Sequence, residues 1–177
     1  MSWFHKLIPT KLVFPSGKSV PEGLWTQCPN CGARLYTPAL NRAMFVCTKC
    51  QHHMRISARK RLLQFFDEGT TQEHGTEHLP KDRIKFKDSI SYPARLSAAQ
   101  KKSGETDALI VFSGRLKSLP VVACAFEFKF IGGSMGYVVG ARFVEAVNQA
   151  IELNCPLVCF AASGGARMQE GLYSLLQ

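Results

Sequence analysis

Apolar residues predict three β-strands in the second half of the chain. Residues 107–114 (DALIVFSG) and 120–130 (PVVACAFEFKF) are rich in β-branched and aromatic side chains. At the end of the second stretch, phenylalanines alternate with Glu and Lys, which is the pattern of a half-buried strand. Residues 156–162 (PLVCFAA) form a continuous apolar run, typical of a strand buried on both faces.

Helical periodicity predicts three helices, and a fourth is expected to begin after the SGGAR turn (163–167). Ser57 is a candidate N-cap for a helix over residues 58–68, which Gly69 ends. Its apolar face comprises Leu62, Leu63, Phe65 and Phe66. A second helix is predicted over residues 93–102, and a third over residues 137–154. In the third helix, four apolar residues recur at every fourth position and predict the buried face: Val139, Phe143, Val147 and Ile151.

Two Cys-x-x-Cys pairs, separated by fifteen residues, predict a metal site in the first half of the chain. The expected ligands are Cys28, Cys31, Cys47 and Cys50. Four thiolates fill the tetrahedral shell of Zn²⁺ and leave no open position, so the zinc is expected to be structural. The alternatives are accidental pairing or a redox motif, and His52 and His53 are substitute ligands that four available cysteines make unnecessary.

Strand, glycine-rich turn and helix follow one another twice, which is the order of an α/β domain. We expect an irregular basic lead-in over residues 1–24, a zinc ribbon over 25–56, a helix and polar linker over 57–91, and the α/β domain over 92–177. The last helix has no stop signal before the sequence ends, so the sequence predicts an incomplete α/β domain.

The net charge of +9 is concentrated in the first third of the chain. Residues 1–66 hold ten Lys and Arg side chains against one acid, whereas residues 67–177 balance twelve against twelve. Such a surplus is typical of a surface that meets a polyanion or an acidic partner, although a solvated basic surface is an equally good interpretation.

The remaining cysteines and the apolar runs bear on the compartment. Cys124, Cys155 and Cys159 lie in apolar stretches, as buried free cysteines do, which favours a reducing compartment. The N-terminal residues show no secretory h-region, and the longest apolar run is about seven residues, against the ~20 that span a bilayer. We therefore expect a cytoplasmic protein with no membrane partner.

Two glycine-rich turns, IGGSMG (131–136) and ASGGARMQEG (162–171), each follow a predicted strand and precede a predicted helix. Glycine lets the backbone approach a ligand, and free N–H groups at a helix start can hold an anion or oxyanion. The alternative is that each is only a sharp connection. Neither turn matches the dinucleotide fingerprint or the P-loop.

Three parts of the sequence together closely resemble the beta subunit of bacterial acetyl-coenzyme A carboxylase carboxyltransferase. They are the two cysteine motifs CPNCG and CTKCQHHMRISARKRL, the stretch FKFIGGSMGYVVGARFVEAVNQAIE, and the stretch CPLVCFAASGGARMQEG. The resemblance runs from about Trp3 to Gln177. It implies a zinc ribbon followed by a crotonase-like α/β domain. Members of that family continue beyond the point at which this sequence ends.

The resemblance implies transfer of a carboxyl group from carboxybiotin, attached to a biotin carboxyl carrier protein, to acetyl-CoA, which gives malonyl-CoA for fatty-acid synthesis. The implied partners are the carboxyltransferase alpha subunit, the carrier protein and biotin carboxylase. Candidate oxyanion donors are the amides of Gly132, Gly133, Ser134, Gly164 and Gly165. Arg167 is expected to bind a cofactor phosphate, to fix the turn geometry or to pair with Glu170 three residues on.

The alternative function is nucleic-acid binding by the basic ribbon, as the main or an accessory role. Cationic and aromatic side chains are interleaved there, which is the composition of a surface that binds phosphates and stacks bases. They are Arg34, Tyr36, Arg42, Phe45, Lys49, Arg55, Arg59, Lys60 and Arg61. A third interpretation makes the ribbon a lid or docking module for the carrier, the alpha subunit or the phosphates of coenzyme A.

Overall fold

A computed structural model describes residues 23–177. The predicted lead-in therefore lies outside the described residues, except for its last two positions. The chain divides into two compact units, Met1–Met54 and Arg55–Gln177. Among residues 23–177, no helix combines the length and apolar character needed to cross a membrane.

The first unit is a small ribbon. Strand β1 (Trp25–Gln27) pairs antiparallel with β2 (Arg34–Tyr36), and the short helix α1 (Thr37–Arg42) follows directly. Its buried hydrophobic residues are Cys28, Leu35, Leu40 and Cys47. A core of this size is too small to stabilise a fold alone, so the ribbon depends on a crosslink such as a metal.

The second unit is built on a four-stranded sheet with the order β3-β4-β5-β6. The strands are β3 (Gln72–His74), β4 (Leu109–Leu116), β5 (Leu119–Phe126) and β6 (Leu157–Phe160). The first three strands are antiparallel, whereas β6 runs parallel to β5 after the crossover through a helix. A parallel pair requires such a crossover.

Helices cover both faces of this sheet. Helix α2 (Ala58–Phe65) packs on one face, and α3 (Tyr92–Ser103) and α4 (Tyr137–Glu152) pack on the other. Successive residues of β4 point to opposite faces, so Leu109 and Val111 join one core and Ile110 and Phe112 the other. The last helix, α5 (Tyr173–Leu176), is a single turn.

Several predicted elements are confirmed with changed bounds. Helix α3 forms, and Gly104 ends it in the left-handed conformation with φ of 77°. Helix α2 is shorter than expected because Phe66 is already extended, and Leu63 is exposed. The polar segment predicted as a linker contributes β3, which pairs with β4.

The strand predicted over residues 120–130 forms, but its last four residues are not part of it. Strand β5 ends at Phe126, and the next residues turn towards the first glycine-rich segment. Glu127, expected to face solvent, is only 2% exposed, and Phe128, expected to be buried, is exposed. The reason is that the Glu127 carboxylate accepts the main-chain N–H groups of Ala58 and Lys129, each at 3.0 Å.

The predicted buried face of α4 is displaced by one position. Val139 is buried, but Phe143 and Ile151 are 40% and 72% exposed. The buried positions on the neighbouring face are Val138, Arg142, Ala146 and Ala150. Small alanines allow the helix to lie close to the sheet. Arg142 is accommodated because it donates to three main-chain carbonyls and to the Thr106 hydroxyl.

Strand β6 is not buried on both faces as predicted. Leu157 and Phe160 are half-buried and Cys159 is exposed. Among the described residues β6 is an edge strand that pairs with β5 alone. The helix expected after it is also interrupted, because a 3-10 turn (Met168–Glu170) precedes α5.

Candidate zinc site and active-site turns

The four predicted zinc ligands converge. The sulfur atoms of Cys28, Cys31, Cys47 and Cys50 all lie within 4.8 Å of one another. The Sγ atoms of Cys28 and Cys50 are 3.7 Å apart, and those of Cys31 and Cys47 are 3.8 Å apart. Four sulfurs at ~2.3 Å from a tetrahedral Zn²⁺ are separated by about 3.8 Å. The thiols therefore fit zinc, and neither nearby histidine belongs to this group.

Two similar turns hold the cysteine pairs. The N–H of Gly32 donates to the carbonyl of Cys28 at 2.9 Å, and the N–H of Gln51 donates to that of Cys47 at 2.8 Å. Both donor residues have positive φ, 70° and 63°, which glycine adopts without strain. Asn30 also donates to Cys50 Sγ at 3.5 Å; chiefly this hydrogen bond, together with the main chain of His52, lowers the pKa of Cys50 to about 6. A metal ligand must be a thiolate, so this contact favours binding.

The two glycine-rich turns lie against each other at the end of the sheet. The N–H of Gly164 donates to the carbonyl of Gly132 at 2.9 Å. Met135 and Ala166 form a parallel bridge next to it. Gly133 has φ of 66°, and a Cβ there would collide with the carbonyl oxygen of Ala162, so only glycine fits.

The predicted oxyanion donors differ in what their amides bind. The N–H of Gly133 donates to the carbonyl of Phe130, just before the turn, that of Ser134 donates to Ile131, and that of Gly164 joins the two turns. The N–H of Gly165 donates at 3.1 Å to the hydroxyl of Ser163, an exposed side chain. The Gly132 N–H has no hydrogen-bond partner within residues 23–177, and nothing lies within 4 Å of the position its Cβ would occupy.

Arg167 is completely buried and joins elements distant in the sequence. It forms a two-point ion pair with Asp107, at 2.7 and 2.9 Å. It also donates to the hydroxyl and the carbonyl of Ser134, to the Tyr92 hydroxyl and to Glu170. Of the roles expected for Arg167, the structure shows the Glu170 pair and the support of the turn. All five N–H groups of a guanidinium are thus directed at protein acceptors.

In this buried cluster one cation, Arg167, faces two carboxylates, Asp107 and Glu170. Burial by itself would lower the pKa of Arg167, but the hydrogen bond and charge of Asp107 outweigh it and raise that pKa. Burial has the opposite effect on an acid and raises the pKa of Tyr92, whose hydroxyl donates to Glu170 at 2.5 Å. The other oxygen of Glu170 accepts the N–H of Tyr137 at 2.7 Å, which anchors the start of α4.

A basic cleft of about 470 Å³ opens beside Gly132. Its cationic lining consists of Arg55, Arg95, Lys102 and Lys129. The guanidinium of Arg55 lies 4.6 Å from the centre of the Phe128 ring. One terminal nitrogen of Arg95 pairs with Asp88 at 2.6 Å, whereas its Nε is buried without a hydrogen-bond partner. The cleft therefore places positive charge next to Gly132.

Sequence reasoning did not identify the cleft or the buried cluster as parts of the site. Asp107 and Tyr92 lie far from Arg167 along the chain and belong to no short motif, whereas Glu170 lies in the second glycine-rich turn. Three of the four cleft cations were not singled out, and Arg55 was assigned only to a nucleic-acid surface. The sequence signal that could have revealed the cluster is Asp107, an isolated acid at the start of an apolar strand, because a buried charge requires a partner.

Residues 25–50 match the acetyl-CoA carboxylase zinc finger domain, and residues 84–177 match the carboxyl transferase domain. Two crystal structures of transcarboxylase 12S are similar to this chain, each with 28% sequence identity over 69% of this chain and 22% of the transcarboxylase chain. Their TM-scores are 0.55, for the one with methylmalonyl-coenzyme A and methylmalonic acid bound, and 0.54, for the one with hydrolysed methylmalonyl-coenzyme A bound. A single-chain, multi-domain long-chain acyl-CoA carboxylase shares the fold at 20% identity, with a TM-score of 0.51 over 64% of this chain and 11% of its own.

These matches confirm the predicted fold, a four-cysteine zinc ribbon followed by a crotonase-like α/β region, and the resemblance on which it rested. The chain spans only 22% of transcarboxylase 12S and 11% of the acyl-CoA carboxylase. It belongs to the carboxyl transferase family.

Proposed function

We propose that this chain is the carboxyltransferase beta subunit of an acetyl-CoA carboxylase. The reaction moves the carboxyl group of carboxybiotin, held on a biotin carboxyl carrier protein, to the methyl carbon of acetyl-CoA and gives malonyl-CoA. The observation that carries the proposal is the open N–H of Gly132, which lies where the two glycine turns meet and at the edge of the basic cleft.

Removal of a methyl proton from a thioester places negative charge on the thioester oxygen. A fixed main-chain N–H stabilises that charge without being consumed, and one such donor contributes about 3 kcal/mol. Carboxybiotin supplies the carboxyl group and, after losing it, a basic ureido group for the methyl proton. The protein then needs to position both substrates and to supply hydrogen-bond donors, rather than a side-chain base.

We assign the donor roles to Gly132 and Gly165. The first amide has no partner, and the second donates to a hydroxyl that is exposed and can rotate away when an oxyanion binds. The amides of Gly133, Ser134 and Gly164 already hold the turns in place, so they keep the two donors in position. Arg167 supports the same arrangement through both polar groups of Ser134.

The basic cleft fits the phosphate groups of coenzyme A. Its four cations line an opening that Gly132 also lines. Guanidinium and ammonium groups are the usual protein ligands of phosphate. The acyl group would then lie towards the turns and the nucleotide end towards Lys102 and Lys129.

A comparison of two substrates tests this assignment. The double variant Lys102→Ala/Lys129→Ala should raise the KM for acetyl-CoA about tenfold, which corresponds to about 1.4 kcal/mol of lost binding. The KM for acetyl-pantetheine, which lacks the nucleotide phosphates, should not change. Lys101→Ala, an exposed lysine outside the cleft, is the matched control. Equal effects on both substrates would contradict the assignment.

The partners are tested separately. We propose that the chain acts with a carboxyltransferase alpha subunit, the carrier protein and biotin carboxylase, which performs the ATP-dependent step. Malonyl-CoA formation from carboxylated carrier should require the alpha subunit, and acetyl-CoA should be used in preference to propionyl-CoA. Robust turnover by this chain without a partner, or preference for another acyl group, would overturn this part of the proposal.

A second candidate function is nucleic-acid binding by the ribbon. The rings of Trp25 and Tyr36 lie 5.6 Å apart on the hairpin, and 56% and 43% of these residues are exposed beside the exposed Arg34. Exposed aromatic rings with adjacent cations can stack bases. Binding of single-stranded RNA should weaken with salt and with Trp25→Ala. Binding that Trp25→Ala leaves unchanged would exclude the hairpin as the binding surface.

A further inference from the structure

Cys124 and Cys159 are neighbours on adjacent parallel strands. They are Cα partners in the register of β5 and β6, and both are free thiols. Paired residues of neighbouring strands project from the same face of a sheet, at a strand spacing of about 4.8 Å. Disulfide-bonded cysteines have Cα atoms roughly 4.4–6.8 Å apart. A bond between the two sulfurs therefore requires only a small adjustment of an edge strand.

The two thiols differ in exposure and acidity. Cys124 is fully buried, whereas Cys159 is exposed. The neighbouring Cys124 thiol lowers the pKa of Cys159 to about 7. The neighbouring Cys159 sulfur, followed by burial, raises the pKa of Cys124. At neutral pH the accessible sulfur is therefore substantially thiolate, the form that reacts with oxidants.

We propose that Cys124 and Cys159 form an oxidation-sensitive dithiol, which a hydroperoxide converts into an intrachain disulfide between β5 and β6. Cys159 is the sulfur that reacts first, and Cys124 is the resolving thiol. The proposal concerns this thiol pair and does not depend on the carboxyl transfer reaction. Strand β6 leads directly into the second glycine turn, so the oxidised form fixes the strand from which that turn starts.

The two steps balance without another reactant. The thiolate of Cys159 attacks one peroxide oxygen, the O–O bond breaks, and the other oxygen leaves and takes up a proton as water or an alcohol. The product is a sulfenic acid. Its formation removes the neighbouring thiolate that raised the pKa of Cys124. The Cys124 sulfur then attacks the sulfenic sulfur, the S–OH bond breaks, and its hydroxide leaves with the thiol proton as water.

Peptide mapping of the zinc-loaded chain tests the proposal. The protein is treated with hydrogen peroxide, remaining thiols are alkylated, and peptides are identified by mass spectrometry without reduction. We expect a cross-linked peptide pair that joins Cys124 to Cys159, with the loss of two hydrogens, in monomeric protein. Dithiothreitol should restore both thiols. The neighbouring Cys155→Ser variant is the matched control and should give the same cross-link.

The Cys124→Ala variant, which keeps a small apolar side chain in the core, should instead accumulate a sulfenic acid at Cys159 that dimedone traps. Recovery of Cys124 and Cys159 as unoxidised thiols from the peroxide-treated protein would overturn the proposal. So would pairing of Cys159 with Cys155, or a cross-link found only between two chains. Because the wild-type protein gives the decisive result, poor folding of the variant does not affect the test.

Discussion

The main-chain N–H of Gly164 donates to the carbonyl oxygen of Gly132 at 2.9 Å, and this hydrogen bond joins the two glycine turns. The contact is possible because the neighbouring Gly133 has no side chain to meet Ala162. The position of the open Gly132 amide is therefore set by the close approach of two segments about thirty residues apart.

Gly133→Ala should separate these turns. The positive φ of this residue costs about 1–3 kcal/mol for a non-glycine residue, and the collision with the Ala162 carbonyl adds to that. Gly104→Ala is the matched control, since its φ is 77° and nothing lies within 4 Å of its Cβ position. Urea unfolding should show a clearly larger loss of stability for Gly133→Ala. Equal losses would mean that φ alone, and not the close approach, requires glycine.

The ion pair between Arg167 and Asp107 should be essential for folding of the second unit. Both side chains are fully buried, so Asp107→Ala leaves the buried cation with only its longer contact to Glu170 and should cost about 3–5 kcal/mol in unfolding free energy. The matched control is Glu73→Ala, which removes a partly exposed pair with Arg59 and should cost below about 1 kcal/mol. Comparable losses in the two variants would contradict a structural role for the buried pair.

Tyr92 should make the fold sensitive to alkali. Its pKa is raised in the folded state, chiefly by burial, so the folded protein holds this proton more tightly than the unfolded chain does. The resulting stability is fully present below the ordinary tyrosine pKa of about 10 and declines as pH rises above it. Tyr92→Phe should flatten that decline, whereas Tyr36→Phe, an exposed tyrosine of the ribbon, should not. Identical alkaline profiles for wild type and Tyr92→Phe would rule out this linkage.

Local patterns in the sequence were enough to predict the ribbon and the glycine turns. The spacing of the cysteines identifies all four ligands, because two tight turns can present their thiols to one ion. Periodicity failed for α4, where it selected Phe143 and Ile151 instead of the face that carries Arg142. A buried arginine is tolerated there only because distant carbonyls accept its hydrogen bonds, and no local pattern contains that information.

One zinc ion per chain should be measured by metal analysis under reducing conditions. The Cys28→Ser/Cys47→Ser variant should lose it, while Cys155→Ser, outside the ribbon, should retain it. Because the binding energy of a structural zinc is folding energy, a chelator should increase hydrogen exchange within residues 25–50 much more than in residues 92–177. Zinc retained by the double variant would exclude the four-cysteine site.

The cap of helix α2 should reside in Glu127 and not in Ser57. Ser57 occupies the N-cap position but makes no side-chain hydrogen bond to the helix, whereas a Glu127 oxygen accepts the N–H of Ala58. Ser57→Ala should therefore change the unfolding free energy by less than about 0.5 kcal/mol, as a substitution without a specific contact does. Glu127→Ala leaves the buried N–H of Ala58 without an acceptor, which costs about 1–3 kcal/mol, and it also removes the acceptor of the partly buried N–H of Lys129. Chemical unfolding of the two variants measures the difference, and Glu127→Gln, which keeps one acceptor oxygen, should fall between them. If Ser57→Ala proved the more destabilising change, the helix would be capped as its sequence suggested, and the turn that follows β5 would have no part in fixing α2.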